Sequence, residues 1–575
     1  MEEIREAYPR PQFERKDWMS LNGAWDFRFD EEEWREIRVP FAYQAPLSGI
    51  GSNRICDRVC YRRRFRVPER WRGRDIRLHF GAVDYQCRVL VNGRQVGEHT
   101  GGNIGFSFDI TEALTWEEEE ITVLVWDPWD DEGIPRGKQY WKKEPESIWY
   151  TRTTGIWQTV WLEPVSRLHL ESLRVRGQVD SGRVEIAWRV SGAPAGSRIS
   201  FDISLRGEKI ASLSQEITEK IGSLGTDLFN AHIFRMNFHG DGWCWTPEHP
   251  TLFDLEVRVE EGQEIRDEVR SYFGIREIEA KDGIVYLNHR PYYQKLVLDQ
   301  GYWPEGLLTP PAPESYADDI LAMKKLGFNT LRKHIKVEME EFYYQCDKLG
   351  MIVWQDMVNN SDYNFIRDTA LPTIGIQKLD DRKWHMQPGH REGFKKCAQA
   401  VVNQLKNHPS ICYWTIFNEA WGQFDSDNVY DWFRTLDDTR FIDTTSGWFR
   451  RKKSDVDSRH VYFRSVKLAA GKKPLVLSEF GGYSWKPAGH VFNDGSTYGY
   501  GKYQSQGEFA DAVESLYNDQ ILPCVRQGLC AAIYTQVSDV EDETNGLVTY
   551  DRKVEKLIPA TMRLIARTLQ EAVRE

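Results

Sequence analysis

The sequence predicts a multidomain chain in which two N-terminal β-sandwiches precede a C-terminal (β/α)8 barrel. Three observations carry this. A chain of 575 residues is too long for one hydrophobic core, because cores stop growing near ~250–300 residues. Up to about residue 277 the chain is a train of short period-two runs broken by turn residues, the pattern of antiparallel sheets. Beyond that point apolar runs alternate with amphipathic helical stretches, the pattern of a parallel sheet covered by helices. The expected domains are residues 1–165, 166–277 and 278–575.

The first sandwich is read from AWDFRF, VCYRRRFRV, DIRLHF, CRVLVNGRQVGEH, FSFDI, ITVLVW and WQTVWLE. Asn92-Gly93 between VLV and RQV predicts a two-residue hairpin, since both turn positions need φ > 0. The second is read from HLESLRV, RVEIAWRV, RISFDISL, LFDLEVRV and SYFGI, and its size of about 110 residues is that of an immunoglobulin-like sandwich. Eight strands follow: PYYQKLVLD, FNTLRKH, GMIVWQD, ICYWTIFNE, FIDTTSG, HVYF, PLVLSEFG and AAIYTQ. Between several of them stand amphipathic stretches such as SYADDILAMKKLG, EEFYYQCDKLG and GFKKCAQAVVNQLKN, and KLIPATMRLIARTLQEAVRE closes the chain. Eight such units in about 300 residues fit a (β/α)8 barrel.

A formal net charge of -12 argues against nucleic acid or anionic lipid as partner, because both require clustered positive charge. The opening MEEIREAYPRPQFERKDW has no apolar signal core and no run approaches the ~20 apolar residues of a membrane span, so a cytoplasmic location is expected. Nine cysteines, an odd number with no CxxC pair, fit reduced, packed thiols rather than a disulfide frame or zinc site. The 22 Trp, 25 Tyr and 27 Phe suit a core; they also suit stacking on the apolar face of a sugar.

Barrels carry their functional groups at the C-terminal ends of their strands. Here those ends are Asp299; Arg332 and His334; Asp356; Asn418 and Glu419; His460 and Tyr462; Glu479; and Tyr534 with Gln536. Two of them set a carboxylate directly after a strongly apolar strand, ICYWTIF-Asn418-Glu419 and PLVLS-Glu479. An isolated strand-end glutamate is readily explained as half of a rim ion pair. Two facing one cavity point to use, because burying ionised carboxylates is costly. The chemistry that needs two is glycoside hydrolysis, one acting as general acid and the other attacking the anomeric carbon. The amide of Asn418 is suited to a sugar 2-OH.

LNGAWDFRF, VLVNGRQVGEHTGGNIGFSFDIT, RTTGIWQTVWLEPV, LKNHPSICYWTIFNEAWG and PLVLSEFGGY, with the order of the three domains, resemble glycoside hydrolase family 2, which holds β-galactosidases, β-glucuronidases and β-mannosidases. The resemblance implies a jelly-roll-like sugar-binding sandwich, an immunoglobulin-like sandwich and a catalytic barrel. It also implies a retaining exo-β-glycosidase with Glu419 as acid/base, Glu479 as nucleophile and Tyr462 holding the nucleophile ionised. His460 shares the strand face of Tyr462. Trp421 is read either as a sugar platform or as a packed loop residue, Trp354 as core, and Tyr534 stands where relatives have a stacking Trp. The segment LVLDQGYWPEG places Asp299, Gln300, Tyr302 and Trp303 at the mouth. Two departures bear on substrate. The second strand reads Arg332-Lys333-His334-Ile335 in place of RxSHYP, and Asn545-Gly546-Leu547 lacks the lysine of the Asn-x-Lys pair with which glucuronidases grip a sugar carboxylate. The expected substrate is a small oligosaccharide or glycoside ending in a neutral β-hexose, β-galactoside first, with Arg332, Lys333 or Arg552 as cations for a uronide alternative. A β-galacturonidase, a β-mannosidase, a transglycosylase and a non-catalytic carbohydrate-binding protein are the other readings. No cofactor and no required metal are expected, and a homo-oligomer is compatible with the sequence.

Overall fold

The computed structural model describes residues 7–231, 234, 243–359, 363–374, 376, 379–385, 388–462 and 464–573. The N-terminal sandwich pairs a six-stranded sheet, ordered 35–39, 23–29, 58–65, 119–126, 86–91 and 94–100, with a four-stranded sheet of 19–20, 160–165, 75–80 and 106–109. The predicted hairpin forms at Asn92 (φ 51°) and Gly93 (φ 76°), where Val91 faces Arg94. Its core alternates along the strands, with Trp25, Phe27 and Phe29 all buried on one of them. The second sandwich sets three strands (170–177, 183–190, 221–227) against four (208–216, 197–205, 253–261, 264–273).

Eight parallel strands make the barrel: β1 Gln294–Asp299, β2 Thr330–Lys333, β3 Ile352–Asp356, β4 Ile411–Asn418, β5 Phe441–Ser446, β6 Asp457–Val461, β7 Leu475–Gly481 and β8 Leu529–Thr535. Hydrogen bonds run β5-β4-β3-β2-β1-β8-β7-β6. The remaining seam, between β5 and β6, is bridged by side chains, with Ser446 Oγ 3.4 Å from Ser458 Oγ. Leu296, Leu298, Trp354, Tyr413 and Ile533 fill the interior, and Val285 and Leu287 of a hairpin beneath the barrel join the same cluster. Interior and helix-facing residues alternate along β1, where Leu296 and Leu298 join the interior cluster and Val297 the helix-side one, as the period of two requires.

The longer helices among the described residues are α1 Ser315–Lys325, α2 Glu340–Leu349, α3 Pro388–Leu405, α4 Ser426–Leu436, α5 Gln506–Leu516 and α6 Pro559–Ala572. At the C-terminus of α2, Gly350 (φ 75°) donates to Cys346 O at 3.0 Å, and the chain turns directly into β3. Ser505 caps α5 by accepting from Glu508 N, and the Glu508 carboxylate accepts from Gln504 N, a capping-box arrangement. Among the described residues the loops after β5 and β6 carry no helix, so that side of the barrel mouth is built from loops. None of the described helices is long and apolar enough to cross a membrane.

Candidate active site

Arg332, at the C-terminal end of β2, organises the floor of the mouth. Its Nε donates to Asp356 Oδ1 at 3.0 Å, Nη1 to Ser478 O at 2.9 Å and Glu479 Oε1 at 3.1 Å, and Nη2 to Asn418 Oδ1 at 2.8 Å. A guanidinium with no exposed surface is stable there only because two carboxylates and two carbonyl oxygens surround it. Its ionised form is strengthened further by those partners: although burial disfavours the charge, Asp356 and Glu479 raise its pKa overall. Because Arg332 takes the Asn418 carbonyl, the amide Nδ2 is left buried with no hydrogen-bond partner.

His334 donates or accepts through Nδ1 at 2.8 Å from Asp356 Oδ2, and burial pushes its pKa down to about 4. It is therefore neutral near pH 7, and its Nδ1–H is the donor to the Asp356 carboxylate. Burial raises the Asp356 carboxyl, but Arg332 and His334 more than offset this and its pKa is lowered.

The two glutamates meet over this floor. One carboxylate oxygen of Glu419, one of Glu479 and a ring nitrogen of His460 all lie within 4.8 Å of one another. His460 Nδ1 is 2.8 Å from Glu419 Oε1 and 3.6 Å from Glu479 Oε2, and its Nε2 is 3.2 Å from Ser446 Oγ. Tyr462 donates to Glu479 Oε2 at 2.6 Å and lies 2.9 Å from Thr535 Oγ1. Burial works to raise the Glu479 pKa, but His460, Arg332, His334 and the Tyr462 hydroxyl outweigh it, and the net shift is downward. Glu479 thus stays an anion in a nearly closed setting. Glu419 is set apart by its backbone: it and Ala420 both adopt left-handed conformations (φ 49° and 68°), which non-glycine residues rarely hold unless the surroundings enforce them. Gly447 (φ 85°) lets the loop after β5 pass over His460, since a Cβ there would sit 2.5 Å from the imidazole.

The predicted mouth residues divide into two sets. Arg332, His334, Asp356, Asn418, Glu419, His460, Tyr462 and Glu479 form one connected network. Asp299 and Tyr534 lie elsewhere. Leu296 and Leu298 face the barrel interior, so alternation turns Asp299 outward, where it pairs with Lys333 at 2.7 Å and accepts from Gly301 N at 2.9 Å. Tyr534 packs against Phe480 and Tyr517 on the helix side, while its neighbour Thr535 points in to Tyr462. Tyr302 packs with Tyr150 and Trp157, and Trp303 with Tyr316. Lys333 is committed to Asp299 and Glu338, and Arg552 to Asp319 and the Tyr302 carbonyl; neither is a free cation at the mouth. Trp354 stacks on Tyr413 inside the barrel, centroids 3.8 Å apart. Trp421 is packed, stacked on Trp149 of the first sandwich at 4.8 Å.

Three further residues border the network without having been singled out in the sequence. Tyr500 stacks on Tyr462 at 4.3 Å and lies 3.2 Å, oxygen to oxygen, from Tyr498. Trp448, after β5, lies 6.3 Å from the His460 ring. None of them ends a barrel strand. The segment 127–154 of the first sandwich also reaches the mouth: Gly137 N donates to Asn359 O at 3.3 Å, Thr151 N to Glu541 at 2.9 Å, and the Tyr150 hydroxyl to the Glu543 carboxylate.

Comparison with known proteins gives the same three-part division. The description "Glycosyl hydrolases family 2, TIM barrel domain" matches residues 312–561, "Glycosyl hydrolases family 2, sugar binding domain" residues 4–163, and "Glycosyl hydrolases family 2" residues 168–276. A β-galactosidase of Thermoanaerobacter pseudethanolicus is 26% identical over 426 residues, covering 71% of this chain and 52% of its own length. A β-galactosidase of Kluyveromyces lactis is 23% identical over 628 residues, covering 94% and 57%. The chain spans about half the length of the curated relatives it matches. Among solved structures, an uncultured Clostridium sp. β-glucuronidase superposes with a TM-score of 0.73 at 19% identity, covering 96% of this chain and 98% of that one. A Ruminococcus gnavus β-glucuronidase in complex with D-glucuronic acid gives 0.73 at 17% identity, covering 98% and 100%. At such identities the likeness is one of fold.

Proposed function

Because the chain belongs to glycosyl hydrolase family 2, we propose that it is a retaining exo-β-glycosidase, with Glu479 as nucleophile and Glu419 as acid/base. The observation that carries this is the approach of the two carboxylates, oxygens within 4.8 Å. Retaining enzymes hold their carboxyl groups ~5–5.5 Å apart, whereas inverting enzymes need ~6.5–9.5 Å to admit water. The division of labour follows from the surroundings. Glu479 is bound by Arg332 and Tyr462 and shifted toward the anion, as a nucleophile must be. Among the described residues Glu419 has only His460 as a side-chain hydrogen-bond partner, and it keeps some exposure, as a group exchanging protons with leaving group and water must. The unpartnered Asn418 amide is placed to bond a sugar hydroxyl beside the reacting carbon.

Exo action rests on the sandwich segment that packs on Trp421 and walls the mouth. The sugar we propose first is a neutral hexose, β-galactoside, because Asn545-Gly546-Leu547 carries no lysine and Asn545 is bonded to Gln536 at 2.8 Å. A uronide is the second reading, favoured by the nearly buried cation Lys138 close to Trp421. Azide rescue tests the mechanism. Glu479→Ala should be inactive and yield an α-glycosyl azide when azide attacks from the vacated side. Glu419→Ala should still cleave an activated aryl glycoside in its first step and yield the β-azide from the trapped intermediate. Exchanged products would reverse the assignment, and wild-type rates in either variant would remove that residue from the mechanism.

A further inference from the structure

Lys138 is a residue of the first sandwich embedded at the barrel mouth. The residue is 7% exposed, and among the described residues its ammonium donates no hydrogen bond and forms no ion pair within 4 Å. It lies 5.0 Å from the Trp421 ring and 5.8 Å from the Tyr150 ring. Cation–π attraction and the charge of the Glu543 carboxylate favour the ammonium there, and its N–H donors have no acceptor among the described residues.

Its position relative to the reacting centre is fixed from both sides. Trp421 stands two residues beyond Glu419. Tyr150 donates to Glu543, which with Asn545 engages Gln536; Gln536 directly follows Thr535, the partner of Tyr462. Tyr498 lies within electrostatic reach of both Glu543 and Glu419. Around this wall the buried Asn418 Nδ2, Asn545 Nδ2, Gln536 Oε1 and Asn359 Oδ1 also have no partner. Buried polar atoms are almost always satisfied in folded proteins, and these four leave donors and acceptors available to a polyhydroxylated ligand along this wall. The loop delivering Lys138 is held on each flank. Gly137 (φ 63°) passes so close to Ile335 that a Cβ would lie 2.4 Å from its carbonyl oxygen, and Gln139 donates to Asp84 at 3.0 Å and accepts from Thr153 N at 2.7 Å.

We propose that Lys138 is a specificity-determining residue: its ammonium, brought from another domain, donates to an oxygen acceptor on the terminal sugar, remote from the anomeric carbon. The acceptor is either a hydroxyl of a neutral hexose or the carboxylate of a uronic acid, and the proposal rests on the glycosidase reading of the site.

Lys138→Met and Lys138→Arg, with wild type, should be assayed on aryl β-galactoside and aryl β-glucuronide. Calorimetry with free galactose and glucuronate gives a readout that needs no turnover. In Lys138→Met the affinity for the recognised sugar should fall about 10- to 100-fold, the range for a hydrogen bond to a charged group, with the loss in KM rather than kcat and partial recovery in Lys138→Arg. A loss confined to glucuronide identifies the carboxylate as acceptor; a loss on galactoside identifies a hydroxyl. Unchanged sugar affinity and unchanged kcat/KM, even with a lowered melting temperature, would overturn the proposal and make Lys138 a loop staple. A wild type that binds one sugar but turns over neither glycoside would sink the hydrolase reading while the binding arm still decides Lys138.

Discussion

The Tyr462 hydroxyl is a sharp test at the scale of one residue, because it donates to Glu479 at 2.6 Å beside the Arg332 guanidinium at 3.1 Å. Tyr462→Phe removes one of the groups that hold Glu479 ionised. Activity should fall about 10- to 100-fold, the worth of a hydrogen bond to a charged group, and the acid limb of the kcat/KM profile should move toward neutral pH. An unmoved limb would show that Arg332 and His460 suffice. His334 makes a second test through stability. Its folded pKa of about 4 lies below the 6.5 of the free side chain, so between those values the unfolded chain binds the extra proton and folding is progressively penalised as pH falls. The contribution is fully present above pH 6.5, is lost as pH falls toward 4, and has an upper size of about 3 kcal/mol. Asp84 and Glu541, both raised by burial to about 7, act in the opposite sense, gaining stability as pH falls. The difference in melting temperature between wild type and His334→Asn isolates the histidine. That difference should shrink from pH 7 to pH 4; a constant one would mean that His334 is not held neutral.

Among the elements, the segment 127–154 belongs by chain to the first sandwich and by contact to the barrel. Gly137→Ala adds a methyl group where Ile335 O already stands 2.4 Å from the Cβ position, in a left-handed conformation. The loop should shift away from Trp421, raising KM for glycosides about 10-fold or more, since small misplacements of binding groups carry large kinetic costs. Retention of wild-type KM would show that the loop does not shape the pocket. The same element marks where sequence reading ran out. Glu419, Glu479, Arg332 and Tyr462 were legible because each stands at the C-terminal end of a barrel strand, after a strongly apolar run in the case of the two glutamates. The period of two explains Asp299 and Tyr534, which end strands but alternate outward from the interior Leu298 and Ile533. The helix Ser426–Leu436 has a buried stripe of Val429 and Phe433, but Asp427, Asn428, Asp431 and Arg434 around it leave no strong apolar run in the sequence. Lys138, Tyr498 and Tyr500 had no local signal at all. Their relation to the site exists only through contacts between distant segments.

At the scale of the whole molecule, buried charges tie the three domains together. Arg15 donates to Asp267 of the second sandwich at 2.9 Å and to Glu163 of the first at 3.0 Å, and Arg10 also holds Glu163 at 2.8 Å. Asp347 plays the matching part at the base of the barrel. It accepts from Tyr272 of the second sandwich at 2.8 Å and from Ser410 N at 2.8 Å, and lies 2.6 Å from His408 Nδ1. The segment 406–410 (KNHPS) is therefore a structural joint, away from the barrel mouth. Burial would raise the Glu163 carboxyl, but Arg10, His79 and Arg15 hold it well below the usual carboxylate range, so its contribution is present above about pH 4.5 and is lost only as pH falls through the lower folded value. At pH 7 the pairings are intact, and Arg15→Met strands Asp267 and half of the Glu163 charge in a nearly solvent-free joint. Breaking one partner out of a buried pair costs roughly 3–5 kcal/mol, and the cost falls on the interface between the sandwiches rather than on either core. Calorimetry at pH 7 should therefore show the sandwich transition of Arg15→Met moving to lower temperature and separating from that of the barrel, while kcat/KM at 25 °C stays near wild type because no group at the mouth has changed. A single unshifted transition would show that the sandwiches are held by apolar packing alone.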